Sequence, residues 1–265
     1  MIFVKKNQFS SLFLYIRNLM NYLKHIGAYF IMLGQVFKKP QKWKVFWESL
    51  FKEIDELGLK SIGIVSFIAF FVGGVVAIQT ALNVDSPFIP KYLIGFATKR
   101  SLILEFAPTF MSVILAGKVG SYITSSIGTM RVTEQIDALE IMGINSLNYL
   151  VLPKIIAVIF FYPIIVVLAM ILGIIGGWVA GVLTDLFYTS DYLMGVRLEF
   201  NPFFIQYAII KTLVFAFVIV TVAAYHGHKV KGGALEVGRA STKAVVWSSV
   251  VIILLNYFLT QMLLG

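Results

Sequence analysis

The stretch that decides the fold is 128-GTMRVTEQIDALEIMGINSLNYLVLPK-154, a polar interruption between two long apolar runs. Residues 155–184 on its C-terminal side carry no charged side chain, and residues 101–127 on its N-terminal side carry two. About 20 apolar residues are enough for a helix to cross a hydrocarbon core about 30 Å thick. The quoted stretch therefore predicts a short polar connection between two membrane spans.

The composition of the whole chain indicates the same class of protein. Of its 265 residues, 59% are hydrophobic and 13% are charged, whereas soluble domains carry about 25% charged residues. The apolar runs predict five spans, at about 58–82, 101–127, 155–184, 203–225 and 244–264. The expected fold class is an all-α polytopic membrane protein.

Amphipathic helices are predicted ahead of the first span. One apolar stripe lies within 9–26, and we expect no cleaved signal peptide because Arg17 and Lys24 interrupt this region. A second stripe consists of Trp43, Phe46, Trp47, Leu50, Phe51 and Ile54. Basic, aromatic helices of this kind are typical of a membrane interface. We divide the chain into N-terminal interfacial helices, 1–56, and one transmembrane domain, 57–265.

The distribution of Lys and Arg predicts the orientation. With a cytoplasmic N-terminus, the inner segments 1–60, 128–154 and 226–243 hold sixteen of the 22 Lys and Arg residues, whereas the outer segments 81–100 and 185–202 hold four. This matches the positive-inside rule, so the C-terminus is expected on the periplasmic side. Membrane topology also explains the net charge of +9 better than nucleic-acid binding does.

Within the quoted stretch, the residues predict a short amphipathic helix at about 134–142. Thr133 is the expected N-cap and Gly143 the expected C-terminal stop. The predicted apolar face consists of Val132, Ile136, Leu139 and Met142. Glu134 and Asp137 project from the other face, which can meet a cytoplasmic partner. An ordinary loop helix between spans is the alternative.

Three blocks of sequence resemble one known family. The first block is the run Gly-Thr-Met-Arg-Val-Thr-Glu-Gln-Ile-Asp-Ala-Leu at 128–139. The second consists of Glu-Phe-Ala-Pro at 105–108 and Ala-Gly-Lys-Val-Gly at 116–120. The third, near the C-terminus, consists of Gly-Gly-Ala at 232–234 and of residues 237–246. These blocks are similar to those of the MlaE/YrbE family, the permease subunits of MCE-associated ABC lipid transporters. The similarity extends from about residue 57 to the end.

The resemblance implies a non-catalytic transport subunit. It would form a homodimer with a separate ABC ATPase, a periplasmic MCE-domain ring and a small STAS-domain subunit as partners. Phospholipid would pass between the bacterial inner membrane and the ring, and this transport would maintain the lipid asymmetry of the outer membrane. This chain has no G-x-x-x-x-G-K-[ST] motif, so ATP and Mg²⁺ are expected on the partner ATPase and no cofactor on this chain.

The resemblance also assigns residues to two sites. The expected ATPase-coupling interface consists of Arg131, Thr133, Glu134, Gln135, Asp137 and Glu140. The expected lipid pathway consists of Glu105, Pro108 and Arg100. The family often has Arg immediately before this Glu, where this chain has Leu104, so Arg100 is the candidate replacement one helical turn back.

Charges inside spans are costly, which makes each of them a candidate for function. For Lys118 we favour snorkelling to the membrane interface, and for Lys211 structural pairing or snorkelling. The glycine stripe of the third span, Gly173, Gly176, Gly177 and Gly181, predicts close helix packing, either within one subunit or between two. His226 and His228 have no nearby carboxylate or Cys in the sequence, so no metal site is expected.

Two other classes of function are compatible with a polytopic chain. The first is a membrane scaffold that anchors a periplasmic complex. The second is an intramembrane lipid-modifying enzyme, which needs a paired acid and base or a metal cluster within the spans.

Overall fold

The computed structural model describes residues 23–37, 43–84 and 88–264. This part of the chain contains eight helices and no strand. They are α1 (23–36), α2 (Trp43–Asn83), α3 (Tyr92–Val132), α4 (Gln135–Ile141), α5 (Ser146–Thr184), α6 (Thr189–Arg197), α7 (Pro202–His228) and α8 (Ala234–Leu264). By length and composition, α2, α3, α5, α7 and α8 can cross a membrane. The all-α polytopic class and the five spans are confirmed.

The second amphipathic helix and the first span form one continuous helix, α2. It is α-helical over Trp43–Glu53, π-helical over Ile54–Leu59 and α-helical again over Lys60–Asn83. The division that the sequence suggests at residue 56 therefore falls inside a π-helical turn. The first predicted stripe lies mostly outside the described residues.

Close packing of α2 on α5 depends on glycine. A Cβ atom on Gly73 would collide with the carbonyl oxygen of Gly173, and one on Gly176 would collide with that of Phe70. Gly177 faces Tyr192, and Gly181 faces the ring of Phe187. The glycine stripe of α5 therefore packs within the subunit, which is one of the two alternatives that the sequence leaves open.

The short helices α4 and α6 lie at opposite ends of α5, and we name the two ends of the bundle after them. At the α6 end, Gly95 of α3 and Gly195 of α6 allow these helices to touch through their backbones. The hydroxyl of Tyr192 donates to the carbonyl of Ile174 at 3.0 Å. Burial raises the pKa of Tyr192, so its hydroxyl stays protonated and this bond is kept.

Helix α1 lies along the part of α7 that is near the α4 end. The hydroxyls of Tyr29 and Thr221 are 2.8 Å apart, and the side-chain amide of Asn148 donates to the carbonyl of Val36 at 2.7 Å. The outer face of α1 exposes Leu23, Ile26, Phe30 and Ile31. This helix is therefore attached to the bundle on one side and apolar on the other, as expected of an interfacial helix.

Candidate functional site

The connection between α3 and α4 differs from the predicted one. Thr133 ends α3 and its hydroxyl donates to the carbonyl of Thr129 at 2.9 Å. Glu134 precedes α4 with φ of 60°, in the left-handed region, and makes no side-chain capping bond. The prediction that Thr133 is the N-cap is wrong, because α3 continues further than the apolar run does.

The end of α4 agrees with the sequence. Gly143 has φ of 75°, which a glycine adopts without the steric cost of a Cβ. Its N–H donates to the carbonyl of Glu140 at 2.9 Å, and the N–H of Ile144 donates to that of Leu139 at 3.0 Å. This pair of bonds is the Schellman arrangement that closes a helix.

Helix α4 rests on the bundle by a narrower apolar face than predicted. Ile136 is fully buried and Leu139 is partly buried, but Met142 is 65% exposed. Met142 was expected on the buried face and is not there, because the helix is only seven residues long and ends before it. Together with Ile141, which is 87% exposed, it forms an apolar patch open to the outside.

Two polar contacts hold α4 in place. Arg131 donates to the carboxylate of Asp137 at 2.5 Å, and the hydroxyl of Ser146 donates to that of Glu140 at 2.8 Å. Glu134 and Gln135 remain exposed. Three of the six residues of the predicted coupling interface therefore fix the helix, and Glu134 and Gln135 present an outer surface. Thr133 is also exposed, at the junction with α3.

A second cluster of polar groups surrounds Glu105 inside the span region. One carboxylate oxygen accepts from Lys211 at 2.8 Å, from Tyr207 at 3.2 Å and from Thr260 at 3.3 Å. The other oxygen accepts from Asn256 at 3.1 Å and from Thr109 at 3.2 Å. We call these six residues the Glu105 cluster. It connects α3, α7 and α8.

Exposure within the Glu105 cluster is uneven. The side chain of Lys211 is fully buried, whereas that of Glu105 is 42% exposed. The ammonium group of Lys211 also lies 4.4 Å from the centre of the Tyr207 ring. A buried cation thus holds a carboxylate at an open face of the bundle, where a polar group of a ligand can reach it.

The other predicted intramembrane residues occupy different positions. Arg100 is exposed and its guanidinium lies over the ring of Phe204, 5.4 Å from the ring centre. Pro108 is buried within the π-helical segment Leu102–Phe110. Lys118 donates to the carbonyl of Lys60 on α2. Among the described residues, Lys211 is the cation that pairs with Glu105.

Helix α3 connects the two parts of the candidate site. Its π-helical segment Leu102–Phe110 carries Glu105, a second such segment spans Ala116–Gly120, and its last residues lead into α4. Wide π-helical turns inside α-helices are frequent at functional sites. Helix α3 therefore carries Glu105 and leads directly into the turn before α4.

Most of the Glu105 cluster was not predicted from the sequence. Tyr207, Asn256 and Thr260 are uncharged residues within predicted spans, and each is separated from Glu105 by more than a hundred positions. Tyr207 and Lys211 are four residues apart on α7, and Asn256 and Thr260 are four residues apart on α8, so each pair shares one face of its helix. That spacing is the signal that could have identified them.

A further buried ion pair lies near the α4 end. Lys154, early in α5, donates to the carboxylate of Glu53 on α2 and lies over the ring of Tyr122 on α3, 5.7 Å from its centre. Both side chains of the pair are largely buried. It fastens three spans together next to α4. Lys154 belongs to the quoted stretch, but Glu53 falls in the N-terminal part that the sequence sets apart.

Comparison with known proteins shows the family to which the chain belongs. A profile described as Permease MlaE matches residues 50–262. The chain belongs to the MlaE permease family.

Its relatives come from distant groups of organisms. It is 36% identical over 218 residues to a probable ABC transporter permease protein of Rickettsia bellii, covering 82% of this chain and 84% of that protein. It is 27% identical over 251 residues to the intermembrane phospholipid transport system permease protein MlaE of Haemophilus influenzae, covering 94% and 95%. It is 29% identical over 234 residues to protein TRIGALACTOSYLDIACYLGLYCEROL 1, chloroplastic, of Arabidopsis thaliana, covering 87% and 66%.

The match to the MlaE permease family covers both parts of the candidate site. The matched residues include α4 and all members of the Glu105 cluster. They also include Glu53 and Lys154, whereas α1 lies before the match.

Proposed function

We propose that this chain is the membrane subunit of an ATP-driven phospholipid transporter in the bacterial inner membrane. It works as a homodimer with a separate ABC ATPase, a small STAS-domain subunit and a periplasmic ring of MCE-domain subunits. Lipid moves between the membrane and that ring, and the process maintains lipid asymmetry of the outer membrane. The nearly full-length similarity to the Haemophilus influenzae phospholipid transport permease supports the substrate class.

The observation that carries this proposal is the arrangement of α3. This helix joins the Glu105 cluster inside the membrane region to α4, whose outer surface is exposed in the single subunit. A displacement of α4 by a partner is transmitted along α3 to Glu105, because α3 continues from one to the other with only π-helical turns between them. This is the linkage that a transport subunit requires.

The chemistry of α4 fits a protein partner. Its outer surface combines exposed Ile141 and Met142 with exposed Glu134 and Gln135. An apolar centre beside polar groups is the composition of a specific protein interface. Because the sequence contains no P-loop, the energy of ATP enters the complex through such a partner.

The chemistry of the Glu105 cluster fits a lipid headgroup. A phospholipid combines long apolar chains with a headgroup that carries charges and hydrogen-bond acceptors. Glu105 is half-open beside apolar span surfaces, and Thr109, Asn256 and Thr260 add hydroxyl and amide groups around it. Such a site orients the headgroup while the chains remain in an apolar environment.

The orientation follows from the positive-inside rule. The α4 end faces the cytoplasm, where the ATPase is located, and the α6 end faces the periplasm, where the ring is located. The rule also puts the N-terminus inside and the C-terminus outside.

The proposal is tested by purification in mild detergent with identification of bound subunits and lipids. An ATPase, an MCE-domain protein and phospholipid are expected together. The double variant Glu134→Arg with Ile141→Asp changes two exposed residues at the ends of α4 and should lower recovery of the ATPase at least tenfold. Glu48→Arg, at an exposed position of α2, is the matched control and should leave recovery unchanged. Undiminished recovery with the α4 variant contradicts the proposal, and an MCE-domain protein without any ATPase supports the scaffold alternative.

A further inference from the structure

Four basic side chains gather near the α4 end, away from the Glu105 cluster. They are His25 of α1, His226 of α7, Lys229 directly after α7, and Lys243 of α8, and we call them the basic cluster. Nδ1 of His25 lies 2.9 Å and Nζ of Lys229 lies 2.7 Å from the same hydroxyl oxygen, that of Tyr225. His226 is within electrostatic range of the other three.

Tyr225 gives the basic cluster a defined geometry. The Tyr225 side chain is buried, and its hydroxyl donates to the backbone carbonyl of His25 at 3.0 Å. The oxygen therefore has lone pairs available to accept from Lys229 and from the ring of His25. The ammonium group of Lys229 also lies 4.6 Å from the centre of the Tyr225 ring. These contacts fix the ammonium group of Lys229 and the imidazole of His25 at one place on the surface.

The charge of the basic cluster is not balanced within the described part of the chain. Every ion pair found there involves other residues. Residues 1–47, which include α1 and the segment before it, contain no Asp or Glu at all. Like charges held close together raise the free energy of the folded state, and a bound anion would lower it.

The surroundings of the basic cluster are those of a membrane surface. The cluster lies at the end of α7 and beside the third turn of α8, and Trp247 is exposed one helical turn after Lys243. The exposed face of α1 beside it is apolar. Tryptophan and apolar helix faces next to Lys are typical of the level at which lipid headgroups lie.

We propose that the basic cluster binds the phosphate of an anionic phospholipid from the leaflet at the α4 end. The lipid holds α1 against α7 and α8, since its phosphate lies beside Lys229 at the end of α7, Lys243 of α8 and the imidazole of His25 of α1. This site is separate from the path of the transported lipid, because it shares no residue with the Glu105 cluster and lies towards the other end of the bundle. It does not depend on the proposed transport activity.

The test measures lipid binding to the purified full chain in detergent by native mass spectrometry and by thermal unfolding. The probes are phosphatidylglycerol, phosphatidylcholine and inorganic phosphate. Phosphatidylglycerol should stay bound and raise the unfolding temperature of the wild type, and the other two should not. Lys229→Gln with Lys243→Gln should weaken phosphatidylglycerol binding about 25-fold, since each Lys near an anionic headgroup contributes about fivefold.

Two further variants keep this test decisive. Lys44→Gln with Lys52→Gln removes the same charge from exposed positions of α2 at the same end and should bind as the wild type does. Lys243→Gln alone, at an exposed position, should weaken binding about fivefold without affecting the fold. Equal weakening by the α2 variant, or equal retention of phosphatidylcholine, would overturn the proposal. Stabilisation by inorganic phosphate alone would also overturn it, in favour of a site for soluble anions.

Discussion

Glu105 and Lys211 form the charged centre of the membrane region. Lys211 is fully buried, and its partner carboxylate is held by four further donors. A buried charge without its partner is strongly destabilising, which makes this pair a structural requirement as well as a candidate lipid contact.

Replacement of Glu105 by Gln separates these two roles. The variant leaves Lys211 without an anion, and we expect a loss of about 3 kcal/mol in the free energy of unfolding. The value is at the low end for a buried pair because Glu105 is partly exposed. Adding Lys211→Met should recover most of the stability, measured by thermal unfolding in detergent, but not lipid transport. Recovery of both would exclude Glu105 from the lipid pathway.

Glu53 and Lys154 offer a second test of buried charge. One carboxylate oxygen of Glu53 is buried and has no hydrogen-bond partner within the described residues, so Lys154 is the main compensation for its charge. Lys154→Met should lower the free energy of unfolding by about 3 kcal/mol. The matched control is Lys60→Met, which breaks exposed pairs with Asp55 and Glu56 and should lower the free energy of unfolding far less than Lys154→Met does. Equal unfolding temperatures of the two variants would contradict this assignment.

At the scale of single helices, glycine determines how closely α2 and α5 approach. Gly73→Ala must push the two backbones apart, and we expect a loss of about 1–3 kcal/mol. Gly63→Ala, in the same helix, has open space around its Cβ and should be neutral or stabilising by up to about 1 kcal/mol. Thermal unfolding of the two variants side by side measures the difference, and similar values would show that this helix contact is not tight.

The spans could be predicted from the sequence because each is a long apolar run, but the helix ends could not. Helix α3 begins at Tyr92, before the apolar run, since its first turns carry Lys99 and Arg100 and pack on α6. The outer segment 185–202 carries no apolar run that would indicate a helix, yet Thr189–Arg197 within it is helical. Tertiary packing stabilises both segments, and hydropathy does not report it.

The two parts of the candidate site also differ in how far the sequence predicts them. Local signals predict α4, because Glu, Asp and Gly have preferences at helix ends, and Gly143 bears this out. Thr133 fails because the preceding helix extends into it. The Glu105 cluster depends on contacts between α3, α7 and α8, and no local rule pairs Glu105 with Lys211.

For the whole molecule, the orientation is directly testable because the chain contains no Cys. Single Cys residues can be introduced at Ala138 on α4 and at Ser190 on α6, both of which are exposed. In intact cells without an outer membrane, an impermeant maleimide should label the residue at 190 and not the one at 138. Labelling of the residue at 138 alone would show that the orientation is the opposite of the predicted one.

The coupling of ATP hydrolysis to lipid movement through α4 is tested most directly in proteoliposomes. They contain the complex that co-purifies with this chain and a labelled phospholipid, and lipid transfer is measured with and without ATP. The wild type should transfer lipid only with ATP. The double variant Glu134→Arg with Ile141→Asp should remain folded and transfer lipid at least tenfold more slowly. Transfer at the wild-type rate by this variant, or transfer that is independent of ATP, would contradict the coupling role of α4.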